Sequence, residues 1–330
     1  MSQLRYNLIT GDWVILAPER SKRPMDFVRS RVDTEVSAHQ EGCPFCLGNE
    51  AAAGEEVWRT PESGPWAVRV LPNKYASLVP GTEMTRTGTG YQRSMSGLGR
   101  HEVIIETPLH NGFLATQAPA QVGSVLLSWR ERMLAFYQDP VVEHVILFKN
   151  HGEAAGSSLT HPHSQIYGVP VVPEQVRSRL EDALRFYADN GECVFCHCLR
   201  LEREQGERVV AENDAFVAFI PYAALSPYHL WIFPKRHLAC FGAISDAELE
   251  ALSLLLCDVL SRLHASLDDP DYNLVVQSLS PAESSVRYAH WYLSIVPRLA
   301  KAAGFELGTG MFINPSLPES SARYLREAKV

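Results

Sequence analysis

A set of two cysteines and two histidines occurs twice along this chain in the same order. In each half, a Cys-x-Phe-Cys pair is followed by a lone histidine and later by another histidine on a strand-like segment. The two sets are Cys43, Cys46, His110 and His161, and Cys193, Cys196, His237 and His290. Two thiolates and two imidazoles complete the tetrahedral coordination of structural zinc. The order therefore predicts a duplicated unit, with a structural Zn²⁺ site in the first half and a second candidate site in the other.

The composition limits the class of protein. The chain has 330 residues, of which 46% are hydrophobic and 21% are charged, as in a folded globular protein. A net charge of −8 argues against a nucleic-acid binder, which is usually basic. The sequence shows neither a signal peptide nor an apolar run that could span a membrane, so we expect a cytoplasmic protein. Closely spaced cysteines in that compartment indicate metal ligands rather than disulfides.

The apolar spacing predicts the same order of elements in each half: strand, strand, helix, strand, loop, strand. Helices are expected over 122–136 and 174–189, and a capping box at Ser245–Glu248 opens another that runs to about His264. Residues 50–65 and 81–99 lack periodicity and are predicted loops. The pattern indicates an α+β fold with mainly antiparallel sheets and helices packed on one face. We expect two units, 1–172 and 173–330.

The segment His161-Pro-His163-Ser-Gln165 carries the candidate chemistry. We expect a strand from His161 to Gly168, on which alternate residues share a face. His161, His163 and Gln165 would then point to one side, so one imidazole can anchor a metal while the next points into a cleft. In the second half Tyr292 stands where the first half has His163, so the chemistry is assigned to the first half.

The loop before this segment, residues 150–158, is rich in small residues and lets backbone N–H groups approach an anion closely. A neutral His163 imidazole beside such a loop could attack phosphorus and form a phosphoramidate. Gln165, Ser158 and backbone amides would then stabilise the charge on the non-bridging oxygens. The competing interpretation makes His163 a core histidine that only supports the metal site.

These motifs resemble those of the galactose-1-phosphate uridylyltransferase family of the histidine-triad superfamily, over nearly the whole chain. The matching segments are Arg5-Tyr-Asn, Thr10-Gly-Asp-Trp-Val, Arg20-Ser-Lys-Arg-Pro, Cys43-Pro-Phe-Cys46, Asn150 through Gln165, His290-Trp, Pro297-Arg-Leu and Ala303-Gly-Phe-Glu-Leu-Gly-Thr-Gly-Met-Phe-Ile-Asn-Pro315. The His-Pro-His-x-Gln core is highly specific. The resemblance implies two fused histidine-triad-like units, the first of them catalytic.

The resemblance also implies a ping-pong reaction. The histidine at position 163 would attack the α-phosphorus of a nucleotide sugar and expel a hexose 1-phosphate, and a second hexose 1-phosphate would then take the nucleotidyl group. Gln165 would hold the non-bridging oxygens, while Ser158 and Asn150 would contact phosphate. Cys43, Cys46, His110 and His161 match the family's structural zinc ligands, and no catalytic metal is implied.

The same resemblance implies further substrate contacts. Arg20, Arg23 and Asn73 fall where the family contacts the nucleotide; from spacing alone, the two arginines could equally be a solvated face. A loop near the end of the chain falls where sugar phosphate is held, often from the partner subunit of a homodimer. Its residues are Gly304, Phe305, Gly308, Thr309 and Gly310.

The chain departs from the family pattern at three places. Lys149 stands where the best-known bacterial members have a glutamate, and the ending after Ala303 is shared with plant relatives that resemble ADP-glucose phosphorylases and carry a second zinc site. Tyr292 replaces a histidine of some relatives, which favours a metal or scaffold role for His290. These departures leave the reaction type unchanged and bear on the nucleobase and the acceptor.

Three functions follow from the sequence, in this order. The first is transfer of uridylyl from UDP-glucose to galactose 1-phosphate in galactose metabolism. The second is an ADP-glucose or dinucleoside-tetraphosphate phosphorylase, with the same histidine chemistry but adenine as the base and inorganic phosphate as the acceptor. The third is a non-catalytic zinc or nucleotide-binding module that has kept the fold.

Overall fold

The computed structural model describes residues 1–20 and 36–330. The helices are α1 (Glu50–Ala53), α2 (Pro119–Phe136), α3 (Glu174–Asn190), α4 (Val194–Gln205), α5 (Asp246–Leu267), α6 (Gly304–Thr309) and α7 (Pro318–Arg326). The strands are β1 (Gln3–Tyr6), β2 (Trp13–Leu16), β3 (Trp58–Thr60), β4 (Val68–Pro72), β5 (Arg86–Thr89), β6 (Gln92–Met95), β7 (Arg100–Ile105), β8 (His144–His151), β9 (His163–Val169), β10 (Val209–Glu212), β11 (Phe216–Phe219), β12 (Leu230–Pro234), β13 (Tyr272–Gln277), β14 (Tyr292–Pro297) and β15 (Phe312–Asn314). No helix in this described part of the chain is long and apolar enough to cross a membrane.

One large sheet joins the two halves of the chain. Its strand order is β10-β11-β12-β14-β13-β8-β9-β7-β4-β3, and every pairing within it is antiparallel. The central pair is β8 with β13. From there β9, β7, β4 and β3 follow on one side, and β14, β12, β11 and β10 follow in the matching order on the other. The predicted α+β fold of two fused units is confirmed, and the boundary near residue 172 stays a prediction.

The long helices α2 and α5 cover one face of this sheet. Their apolar residues, such as Trp129 and Leu256, join Ile104 and Leu293 of the strands in the main hydrophobic core. The predicted capping box opens α5, because Ser245 accepts a hydrogen bond from the Glu248 backbone and the Glu248 carboxylate accepts one from the Ser245 backbone. Both helices therefore lie where their apolar periodicity predicts them.

The opposite face of the sheet differs between the halves. In the second half, α3 and α4 cover it, with Phe195 and Leu199 packed on Phe219 and Trp231. In the first half, the segment that carries Cys43 and Cys46 covers only part of the matching face. In the part of the chain that the structure describes, the rest of that face is partly exposed at Gln165 and Tyr167, so the two copies differ in how far this face is covered.

The structure differs from the sequence-based prediction at several local elements. The presumed loops contain α1, β3 and the β5–β6 hairpin, whose residues are all exposed and therefore show no apolar alternation. Helix α4 was missed, although it begins directly after Cys193. Strand β9 begins at His163 rather than His161. Pro162 explains that shift, because it has no N–H to donate to a neighbouring strand.

Candidate metal centre and active site

The four predicted ligands of the first half converge on one point. Their ligand atoms all lie within 4.8 Å of one another, and all four side chains are buried. The Cys46 Sγ lies 3.4 Å from His110 Nδ1 and 3.6 Å from His161 Nδ1, and the Cys43 Sγ lies 3.7 Å from His161 Nδ1. Three segments far apart in sequence supply these atoms: the turn before α1, the turn after β7 and the residues just before β9.

The protonation of this group suits a metal ion. Because a carbonyl only accepts, His161 donates its Nε2–H to the Thr107 oxygen at 2.8 Å, which leaves the Nδ1 lone pair facing the thiols. Burial lowers the pKa of the His161 imidazole to about 4 and lowers that of His110, so both are neutral. Burial raises the pKa of the Cys43 thiol, so its thiolate form needs a nearby cation. The donor set fits a tetrahedral metal ion.

The second half brings together three of its four predicted ligands. Cys193, Cys196 and His237 lie within 4.8 Å of one another, with 3.2 Å between Cys196 Sγ and His237 Nδ1. His290 packs edge-on against His237, with ring centroids 5.5 Å apart, much as His110 and His161 do at 5.3 Å. However, His290 donates its Nδ1–H to the Trp291 carbonyl at 2.9 Å, so this nitrogen does not face the thiols.

His163 has the geometry of a nucleophile. It is buried at the start of β9, where it lines a cavity of about 1150 Å³. Its Nδ1–H donates to the His161 carbonyl at 2.8 Å, which fixes the tautomer and leaves the Nε2 lone pair for attack. Burial lowers the pKa of the His163 imidazole, so the ring is neutral at physiological pH.

A buried ion pair lies behind His163. The Lys149 Nζ donates to the Glu106 Oε2 at 2.7 Å and to the His163 backbone carbonyl at 3.3 Å, and both charged side chains are 1% exposed. The pair thus fixes the first residue of β9 without adding net charge beneath it. From the sequence, Lys149 stood out only as a departure from the family pattern, and Glu106 was not predicted. The available signal was a charged residue that directly follows the apolar run of β7.

Two of the other three predicted catalytic residues, Asn150 and Ser158, line the same cavity as His163, whereas Gln165 does not. Gln165 lies two residues further along β9 on the same face. Asn150 lines the cavity, and its Oδ1 accepts from the Asn273 Nδ2 at 2.8 Å. Ser158 also lines the cavity, and it is an exposed residue of the small-residue loop.

The second half of the chain holds this small-residue loop in place. Asn273 also donates to the Ala155 carbonyl at 2.9 Å, and the Ala154 N–H donates to the Asp271 carboxylate at 2.7 Å. Gly152 has φ +83°, and a Cβ at this position would collide with the Asp271 side chain. Only glycine therefore suits this turn, and the loop depends on contacts that the duplicated half provides.

The predicted substrate-binding residues are dispersed. Asn73 follows β4, and its Nδ2 lies 2.9 Å from the Nε2 of His101, a residue that the sequence analysis missed. Arg20 ends a short 3₁₀ helix, whereas Arg23 lies outside the described residues. The predicted sugar-phosphate loop forms α6, and Gly310, with φ +71°, caps the C-terminus of this helix. Of the described residues that line the cavity, none belongs to Gly304, Phe305, Gly308, Thr309 or Gly310.

Replacing one ligand should release the metal of the first site. For Cys43→Ser we expect metal content to fall by one equivalent and the free energy of unfolding to fall by about 3–5 kcal/mol, since metal binding contributes to folding. Elemental analysis and thermal unfolding measure both. Cys257→Ser is the control, because that thiol lies on α5 outside both clusters. Unchanged metal content and stability in Cys43→Ser would exclude this site.

Replacing one partner of the buried ion pair should lower the free energy of unfolding more than replacing both partners. We expect Lys149→Met to lower the free energy of unfolding by about 3–5 kcal/mol, because Glu106 is left as an unpaired buried charge. The double variant Lys149→Met/Glu106→Met should recover most of that loss. Denaturant unfolding measures both values. Lys235→Met, which breaks a partly exposed pair with Glu212, should cost no more than about 1 kcal/mol. If the double variant instead lost the sum of the stability losses caused by the single substitutions at positions 149 and 106, the two residues would not be coupled.

Comparisons with known proteins agree with this geometry. The family model described as galactose-1-phosphate uridyl transferase, N-terminal domain, matches residues 1–173, and a HIT domain model matches residues 202–298. The chain is 36% identical over 333 residues to an ADP-glucose phosphorylase of Arabidopsis thaliana, covering 99% of this chain and 93% of that protein. It is 30% identical over 339 residues to a galactose-1-phosphate uridylyltransferase of Thermotoga maritima, covering 100% and 99%.

Solved structures resemble the fold over its full length. A crystal structure of an ADP-glucose phosphorylase from Arabidopsis thaliana with bound ADP-glucose aligns with a TM-score of 0.84 at 32% identity, covering 100% of this chain and 99% of that one. A uridylyltransferase structure aligns with a TM-score of 0.75 at 27% identity, covering 99% and 97%. From these matches and the residues described above, the chain belongs to the galactose-1-phosphate uridylyltransferase family, the HIT-like nucleotidyltransferases with two fused units.

Proposed function

We propose that the chain transfers a nucleotidyl group through a covalent intermediate on His163. One observation carries this proposal: a buried, neutral imidazole whose Nδ1–H is fixed by the His161 carbonyl and whose Nε2 is available beside a cavity. A phosphorus nucleophile needs a free lone pair and a fixed direction of attack, and this hydrogen bond supplies both.

The first half-reaction forms an N–P bond. The Nε2 lone pair attacks the α-phosphorus of a nucleotide sugar, and the bond from that phosphorus to the bridging oxygen breaks. The electron pair of that bond leaves with a hexose 1-phosphate. Positive charge develops on the imidazole, and the His161 carbonyl that accepts from Nδ1–H stabilises it.

The second half-reaction reverses the first with a new phosphate. An oxygen of the acceptor attacks the same phosphorus, the N–P bond breaks, and its electrons return to Nε2. The acceptor is already an anion, so neither step requires a separate proton donor. Gln165, Asn150 and Ser158 would hold the non-bridging oxygens, and Arg20, Arg23 and Asn73 would contact the nucleotide.

Zinc is the proposed metal of the first cluster, with Cys43, Cys46, His110 and His161 as its ligands. It would act structurally, because the His161 imidazole faces the thiols while its carbonyl orients His163. In the second half, Cys193, Cys196 and His237 would hold another zinc ion. The proposed fourth ligand atom is the His290 Nε2, because the Nδ1 is bonded to the Trp291 carbonyl and the Nε2 has no hydrogen-bond partner among the described residues. The donor sets match the ligands that zinc prefers in structural sites.

Two nucleotide sugars are candidate donors. UDP-glucose, with galactose 1-phosphate as acceptor, is supported by the family model and by the Thermotoga maritima relative. ADP-glucose, with inorganic phosphate as acceptor, is supported by the higher identity to the Arabidopsis thaliana relative and by the higher TM-score. Both use the same histidine chemistry, and we place the reaction in the cytoplasm.

A covalent adduct separates these candidates. We expect intact-protein mass spectrometry, quenched under alkaline conditions, to detect either a uridylyl adduct after UDP-glucose or an adenylyl adduct after ADP-glucose. His163→Ala should form neither adduct and should lose turnover by a factor of more than about 10³, while keeping its metal content and fold. His39→Ala is the control, because His39 is exposed and belongs neither to the cavity lining nor to the four-ligand cluster. If the wild-type protein forms no adduct with either donor, the chain is better described as a non-catalytic module.

We also propose that the active protein is a homodimer in which α6 completes the partner's site. Two observations support this. None of the described residues that line the His163 cavity of the same chain belongs to α6. In addition, the neighbouring three-stranded sheet of β1, β2 and β15 exposes Leu4, Tyr6 and Trp13, which lie on one face because Tyr6 pairs with Trp13. An exposed apolar face of this kind is typical of a protein interface.

Mixing two inactive variants tests the shared site. One variant is His163→Ala, and the other is Phe305→Ala/Thr309→Ala. A mixed dimer would contain one site with both an intact His163 and an intact α6 if α6 acts on the partner, so activity should reappear after subunit exchange. If α6 served its own chain, every site in the mixture would carry a defect and the mixture would stay inactive.

A further inference from the structure

His101 lies between two of the predicted site residues. Its Nε2 is 2.9 Å from the Gln165 Oε1 and 2.9 Å from the Asn73 Nδ2. The ring is 6% exposed and stacks on Tyr167 with centroids 3.7 Å apart. The other ring nitrogen, Nδ1, is buried and has no hydrogen-bond partner among the described residues. His101 is therefore held rigidly, and a single nitrogen faces two amides.

A single ring nitrogen cannot serve both amides. Asn73 is oriented by its Oδ1, which accepts from the Tyr75 N–H at 2.8 Å, so its Nδ2 can only donate towards His101. Burial lowers the pKa of His101, so the ring is neutral and Nε2 carries either a proton or a lone pair. With the proton on Nδ1 a buried N–H would be unsatisfied, which is costly. We therefore place the proton on Nε2, where it donates to the Gln165 Oε1. The Asn73 NH₂ group then faces a protonated nitrogen, but Asn73 is partly exposed and can shift towards solvent or a ligand, whereas a buried Nδ1–H could not.

This hydrogen bond decides which end of the Gln165 amide is left to contact a ligand. With the Oε1 held by His101, the NH₂ group is the polar atom left for a ligand. An NH₂ group donates to a phosphoryl oxygen, whereas the opposite amide orientation would present an acceptor that repels an anion. The orientation of Gln165 thus depends on the tautomer of His101, and the Asn73 NH₂ group is likewise left for the nucleotide.

The second half of the chain contains a matching histidine hydrogen bond but no candidate nucleophile. In the first half Val103 pairs with Gln165, and in the second half Trp231 pairs with Ser294. Two residues before each lie His101 and His229, and His229 also bonds through Nε2, to the Ser294 Oγ at 2.9 Å, with its Nδ1 buried and unpartnered among the described residues. The second copy has Tyr292 in place of the nucleophile, so His229 is a matched structural control.

We propose that His101 is a positioning residue that fixes the Gln165 amide with its NH₂ group towards the α-phosphoryl oxygens. The proposal rests on the nucleotidyl-transfer function proposed above. Loss of this orientation should slow formation of the nucleotidyl-histidine rather than weaken nucleotide binding, since the contact matters most as charge develops on the phosphoryl oxygens.

Single-turnover kinetics of adduct formation tests the proposal, with whichever nucleotide sugar labels the wild-type protein. His101→Phe keeps the stacking on Tyr167 but removes the nitrogen, and we expect a rate loss of about 10-fold to 100-fold with little change in the nucleotide Kd. Gln165→Met should reduce the rate of adduct formation at least as much. Adding His101→Phe to Gln165→Met should cause no further loss, because His101 acts through Gln165.

The control variant and the wild-type protein give independent outcomes. His229→Phe should leave the rate of adduct formation unchanged, even if its melting temperature falls. The ¹⁵N chemical shifts of the wild-type His101 ring should report the Nε2–H tautomer. An unchanged rate in His101→Phe, additive losses with Gln165→Met, an equal loss in His229→Phe or an Nδ1–H tautomer would each overturn the positioning role. A wild-type protein that forms no adduct would overturn the proposed function and this role together.

Discussion

The hydrogen bond from the His163 Nδ1 to the His161 carbonyl links the metal cluster to the candidate nucleophile. His161 makes three contacts: its Nδ1 faces the thiols, its Nε2 donates to the Thr107 carbonyl, and its own carbonyl accepts from His163. Anything that fixes the His161 ring therefore also fixes the direction of the His163 Nε2. A metal ion bound by this cluster would in this way orient the candidate nucleophile without contacting it.

The central pairing of β8 with β13 explains why one copy supports the other. Asn150 on β8 lies opposite Asn273 on β13, and Asn273 holds both the Asn150 side chain and the small-residue loop. The second half therefore contributes to the site through its backbone and amides, although its own nucleophile position holds Tyr292. The closed face under α3 and α4 leaves that position no space for a substrate.

The sequence predicted those parts of the structure that repeat or have a clear period. The duplicated cysteine and histidine order located the first cluster, and the apolar spacing located α2 and α5. The prediction failed where neither signal exists: the β5–β6 hairpin is exposed on both faces, and the β9 boundary depends on Pro162. Pairing across the sheet, which brings His101 to Gln165, leaves no local pattern in the chain.

The orientation of the histidine rings is the feature that is hardest to predict from sequence, and it differs between the two candidate metal sites. His161 and His290 occupy matching places, but His161 bonds a carbonyl through Nε2, whereas His290 bonds one through Nδ1. The carbonyl bond determines which nitrogen carries the proton and which lone pair is free, so equal spacing gives two different donor sets. The same reasoning applies to His101 and Gln165, where the position of one proton decides whether an amide donates to a phosphate or repels it. Local hydrogen bonding therefore bears on the proposed function as strongly as residue identity does.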